Sequence, residues 1–193
     1  MRWRRALRRL RGQRGYSLIE MLVVLVVMGI VMGSLTTVFV SASNAELDMN
    51  NRFRAQLNAR LALDVFRRDV HCGSSVTLGP AGSPSGPLAA IAVTVVLPSS
   101  CRSSGTVTWC TQGSGSRFAL YRGGTVSGST CTGGTRYADY LTRPNIFDYT
   151  APSAGSGRLP KVSIDLPVNV KPTKTVEAYE LQDDVVLRNG VRA

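Results

Sequence analysis

The sequence predicts an α+β fold: a long N-terminal helix, transmembrane and then amphipathic, packed on an antiparallel β-sheet. Three observations predict it. An uncharged stretch of 20 residues runs from Met21 to Val40. Residues 41–70 lack proline and glycine and keep a helical apolar pattern. Beyond Gly73 the chain turns to short β-rich runs separated by Gly/Ser segments.

In the uncharged stretch the only polar or glycine residues are Gly29, Gly33, Ser34, Thr36 and Thr37. At about 1.5 Å per residue it covers a hydrocarbon core of roughly 30 Å. Residues 1–15 precede it with seven arginines and no acid. Positive charge stays on the cytoplasmic side, so everything after Val40 is expected outside. The whole chain carries 23 basic and 12 acidic residues, a formal charge of +11. Taking away the seven N-terminal arginines leaves 16 against 12, or +4. The basicity is therefore mostly a topology signal, and DNA is a disfavoured partner.

Two simple readings fit this start. A secretory signal peptide would be cut near Val40-Ser41-Ala42, although the apolar run exceeds the usual ~7–15 residues. A signal anchor would keep the span, with an extracytoplasmic β-domain acting as a ligand-binding module or an enzyme. Glu20 stands at the entry of the apolar span, where a carboxylate is costly unless a cation pairs with it; the plain account places it in the headgroup region, where it needs no partner.

The segment Gly15-Tyr16-Ser17-Leu18-Ile19-Glu20-Met21-Leu22-Val23-Val24-Leu25 resembles the N-terminal signal of type IV pilins and type II secretion pseudopilins. The resemblance implies that prepilin peptidase cuts between Gly15 and Tyr16 and N-methylates Tyr16. It implies that Glu20 neutralises the amine of a neighbouring subunit in the assembled filament, a contact that is strong where the dielectric is low. Tyrosine departs from the phenylalanine usual at the first mature position. The tip-capping K-type subunits typically lack the glutamate, which counts against that role here. Gly29 and Gly33 form G-x-x-x-G, a close-packing face between helices.

The resemblance divides the chain into a basic leader at 1–15, a transmembrane helix half at 16–40, an amphipathic half at 41–72 and an extracytoplasmic β-rich domain at 73–193. A helix from about Tyr16 to Val70 is about 80 Å long. Two apolar rows, Phe53-Leu57-Leu61-Val65 and Ala59-Leu63-Phe66-Val70, are expected to form one wide face against the sheet. Arg60–Asp64 and Asp64–Arg68 are expected as i,i+4 pairs. The helix should stop at Cys72-Gly73, and residues 73–88 read as loop. Strands are expected at Ala89–Leu97, Thr106–Cys110, Arg117–Arg122, Lys161–Leu166 and Thr175–Leu181, with a short last one at Asp184–Arg188. The pieces Arg68-Asp69, Leu120-Tyr121-Arg122 and Val186-Leu187-Arg188-Asn189 resemble J-type minor pseudopilins and W-type minor pilins.

Cys72, Cys101, Cys110 and Cys131 all lie beyond the span, where disulfides are favoured. Four cysteines allow three connectivities. Cys72–Cys101 with Cys110–Cys131 is preferred, because each bridge would tie adjacent elements. A zinc site lacks the paired short spacing it would need.

Chemistry has few candidates. His71 is the only histidine, which excludes multi-histidine metal sites. His71 and Cys72 are adjacent, so they point different ways and make a poor nucleophile–base pair. Asp165 with Asp183 and Asp184 could bind calcium, with surface solvation as the plainer role. Glu177 and Glu180 fall on opposite faces of a strand, against an acid/base pair. The reading is a structural subunit without catalytic residues, metal or cofactor. Its partners are prepilin peptidase, other pilins or pseudopilins and the inner membrane. It is single-pass in the cytoplasmic membrane, and after assembly part of a cell-surface or periplasmic filament.

Overall fold

A computed structural model describes residues 16–79, 90–152, 158–172 and 178–190. The leader at 1–15, Ala89, and Thr175 to Glu177 lie outside them. One helix, α1 (Leu18–Cys72), precedes ten strands among the described residues. They are β1 (Ser75–Leu78), β2 (Ala92–Leu97), β3 (Gly105–Ser114), β4 (Arg117–Arg122), β5 (Thr125–Ser127), β6 (Thr130–Thr132), β7 (Thr135–Leu141), β8 (Phe147–Thr150), β9 (Lys161–Val168) and β10 (Tyr179–Val186). The architecture is α+β, a long apolar-started helix followed by an antiparallel sheet.

The chain forms two compact units, divided between Asp48 and Met49. In the first, α1 is the only element described. Its apolar side chains from Met21 to Val40 are 46–73% exposed. The polar residues of that stretch satisfy themselves within the helix. Ser34 Oγ donates to the Val31 carbonyl at 2.8 Å, Thr36 Oγ1 to Met32 at 2.8 Å and Thr37 Oγ1 to Ser34 at 2.7 Å. Each hydroxyl is thus bonded within the helix, which would lower the cost of placing it in an apolar medium.

In the second unit the remaining turns of α1 lie against the sheet. Strand order is β1-β2-β3-β4-β7-β9-β10, with β8 also paired to β9. All pairings in this sheet are antiparallel. The β5–β6 hairpin stands apart as a two-stranded sheet inserted between β4 and β7. Ala55, Ala59, Ala62, Leu63, Phe66 and Val70 are the buried apolar residues of the helix. Phe66 is central: its ring meets Trp109 of β3 edge-on at 5.6 Å and Phe147 of β8 at 5.7 Å. On β9, Val162, Ile164, Leu166 and Val168 alternate into the same core.

Several expectations are corrected. Of the two apolar helix rows, only the second is core. Phe53, Leu57 and Leu61 are 64%, 45% and 52% exposed, and only Val65 of their row packs partly against the core. Three small alanines (Ala55, Ala59, Ala62) take the inward face, letting the helix backbone approach the sheet. The stretch at 73–88 is not all loop, because Ser75–Val96 to Leu78–Val93 pair as β1 with β2. The Gly/Ser segment at 123–134 holds β5 and β6. Strands β7 and β8 were not anticipated. The two expected C-terminal strands are one, β10, paired with β9 from Tyr179–Val168 to Val186–Lys161.

Candidate functional site

The N-terminal segment comes first. Glu20 sits in the first turn of α1, where the helix dipole favours an acid. Tyr16 is 77% exposed, and Gly15 lies outside the described residues. A Cβ added at Gly29 or Gly33 would meet nothing within 4 Å. The described residues therefore set no requirement for glycine at either position. Among the described residues α1 is the one helix long and apolar enough to cross a membrane.

At the other end, the last turn of α1 gathers three pieces far apart in sequence. Asp69 is buried, and its Oδ2 accepts from Trp109 Nε1 at 2.9 Å and from Arg122 Nε at 2.8 Å. Arg122 Nη2 reaches Asp69 Oδ1 at 3.2 Å, which makes the pair two-pronged. The hydrogen bond to Asp69 holds the Arg122 guanidinium above its ordinary pKa, against the opposing effect of burial. His71 Nδ1 lies 2.8 Å from the Val186 carbonyl. A carbonyl has no proton to give, so Nδ1 carries the hydrogen. Asn189 Nδ2 donates to the Cys72 carbonyl at 2.9 Å, and the Gly73 amide donates to Asp69 and Val70 at 2.9 and 3.1 Å. The helix end therefore leaves few carbonyls unmet. Gly73 is not among the positive-φ glycines. It is needed because a Cβ there would come within 2.5 Å of Val95 Cγ1.

The cysteines pair as Cys72–Cys101 and Cys110–Cys131, with Cα separations of 6.0 and 6.1 Å and no free thiol. The first ties the helix end to the loop after β2, the second ties β3 to the β5–β6 hairpin. Gly124 gives the second room: a Cβ there would lie 2.6 Å from Cys110 Sγ and 2.8 Å from Cys131 Sγ. With Cys72 bridged and His71 bonded to the backbone, this pair holds neither a thiolate nor a base aimed at one.

Asp165, Asp183 and Asp184, the calcium candidates, each have a cationic partner. Asp183 takes Arg67 Nε at 2.6 Å, Asp184 takes Lys161 Nζ at 2.8 Å, and buried Asp165 pairs with Arg143. Arg143 also reaches Glu180 at 3.2 Å. Among the described residues no group of three or more His, Cys, Asp or Glu is placed to hold a metal. The expected i,i+4 helix pairs give way as well: Asp64 pairs with Arg67 at 3.6 Å. Arg60 lies over the Tyr179 ring at 6.0 Å instead.

Residues 10–36 match the family described as the prokaryotic N-terminal methylation motif. No curated protein and no solved structure matches the chain. The motif supports a place among the type IV pilin-like proteins. With the apolar helix and the two cysteine pairs it fits a membrane-anchored structural subunit, processed by prepilin peptidase and assembled with other pilins.

Proposed function

We propose that the protein is a minor pilin or pseudopilin, a subunit of a type IV pilus or a type II secretion-like filament. The observation that carries this reading is a methylation motif joined to an apolar helix whose side chains from Met21 to Val40 are left exposed among the described residues. Prepilin peptidase cuts between Gly15 and Tyr16 on the cytoplasmic face and methylates Tyr16. The domains are the leader at 1–15, the transmembrane half at 16–40, the amphipathic half at 41–72 and the extracytoplasmic β-domain at 73–193. Before assembly the chain spans the cytoplasmic membrane once, N-terminus inside. On extraction into the filament, Glu20 meets the methylated amine of a neighbour, so both charges are hidden together and the axial stagger is set. Gly29 and Gly33 give the neighbouring helix its closest approach.

Asp69, Arg122, Val186 and Asn189, which belong to the pieces that carried the resemblance to the J-type or W-type subclass, meet at one helix end: Asp69 pairs with Arg122, while Val186 and Asn189 bond to His71 and Cys72. Mass spectrometry of the membrane-extracted protein tests the reading. The expected N-terminus is Tyr16 with one added methyl group. An intact Met1 would identify a signal-anchored β-domain, and a start near Ser43 a secreted one; either overturns the filament assignment.

A further inference from the structure

A cavity of about 540 Å³ opens beside the last turns of α1, lined by Val65, Arg68, Asp69, Arg102, Arg122 and Tyr137 among others. Three arginines line it against one aspartate, whose carboxylate is already taken by Arg122. Arg68 and Arg102 are exposed, and neither makes an ion pair or hydrogen bond among the described residues. Arg68 lacks the partner its spacing suggested, because Asp64 turns to Arg67. The cavity thus carries an excess of two positive charges. Its other wall is apolar, formed by Val65, Leu97 and the Cys72–Cys101 bridge. Val65 continues the exposed row Leu61 and Leu57 on the same helix face.

We infer that this cleft docks an acidic, amphipathic segment of a partner protein. Carboxylates of the segment seat between Arg68 and Arg102, and its apolar side chains lie along Val65, Leu61 and Leu57. Guanidinium forks match planar carboxylates in two-pronged fashion, which suits recognition at a partly dry site. Nucleic acid fits less well. It would want a longer basic track and stacking aromatics, and the row leading away from the cleft is aliphatic. The cleft lies wholly in the unit from Met49 onward, so the inference stands whether or not the leader is removed.

The test uses the full chain in detergent micelles, with empty micelles as the blank. The probe is a fluorescein-labelled helical peptide with leucines at i, i+4 spacing and glutamates at one end, beside a twin with glutamine at those positions. The glutamate peptide should bind at least about tenfold more tightly than its twin, and rising salt should weaken it. The double variant Arg68→Gln/Arg102→Gln should lose at least about tenfold. Its thermal transition should stay unchanged, since both side chains are exposed. Arg54→Gln/Arg188→Gln, removing the same charge elsewhere, should bind as the parent does. Equal binding of the two peptides, no binding, or equal losses in both double variants would overturn the inference. So would tighter binding of a duplex DNA oligomer than of the glutamate peptide.

Discussion

Arg122 of β4 holds Asp69 of α1 through two nitrogens, at 2.8 and 3.2 Å, while Trp109 donates to the same carboxylate at 2.9 Å. The pair pins the helix to the middle of the sheet with a buried charge on one side. Two charges cost little here because each is met, but either alone would be expensive. Asp69→Ala should therefore cost about 3 kcal/mol, near the lower end for breaking a buried pair because Arg122 keeps some solvent. Denaturant unfolding of the full chain in detergent measures it. A loss below about 1 kcal/mol would show that water replaces the carboxylate freely.

The two apolar helix rows should separate sharply. Phe66→Ala removes a fully buried ring from between Trp109 and Phe147 and should cost about 3–5 kcal/mol. Leu57→Ala, on the exposed row, should stay within about 0.5 kcal/mol in the isolated chain. A similar loss in both would place the second row in the core after all.

Peptide mapping without reductant should return Cys72 linked to Cys101 and Cys110 linked to Cys131. Replacing Cys72 and Cys101 together by serine should cost about 2–4 kcal/mol. The bridge closes a 29-residue separation and holds the helix end where Asn189 and Gly73 also bind it. Cross-linked peptides in any other pairing would refute the connectivity.

Asp184 should give a small acid limb to stability. Hydrogen bonds from Lys161 and then Ser163 hold its carboxyl below the ordinary value of 3.8. The unfolded chain therefore takes up the proton first as pH falls. The contribution is complete above about pH 5 and fades below about pH 4, as the pH falls through the depressed folded value. Because the side chain is 57% exposed, its size should be under about 1 kcal/mol. Asp184→Asn should flatten that part of a stability–pH curve; an unchanged curve would show the pair contributes nothing. Arg67 and Arg122, both raised, stay charged throughout and add no slope there.

Glu20→Ala should leave cleavage after Gly15 intact yet reduce recovery of the protein in sheared filaments several-fold. The carboxylate sits beyond the scissile bond but at the subunit contact proposed for it. Normal incorporation of the variant removes the salt-bridge argument.

Where structure is local, residue type and order suffice. The helix from Leu18, its stop at Cys72 and the uncharged span are all readable from periodicity and composition, because each depends on residues a few positions apart. Strands β2, β3 and β9 were also legible from their β-branched residues, and β4 from its aromatic Phe118 and Tyr121, with clear breaks between them. Glu20 stands out for the same reason: it sits in the first turn of α1, exposed among the described residues.

Tertiary structure decided the rest. Strands β1, β5, β6 and β8 are three or four residues long, too short to declare themselves without the partners that complete their hydrogen bonds. Two apolar rows of nearly equal strength lie on the helix, and only the sheet's shape, with Trp109 and Phe147 meeting Phe66, selects which is buried. Arg67, Arg68 and Arg122 look alike in the chain. One is paired with Asp183, one is left facing a cleft, and one is tied to Asp69 by contacts spanning 53 residues. Charge pairing at such distances follows from the packed geometry, and no local pattern encodes it.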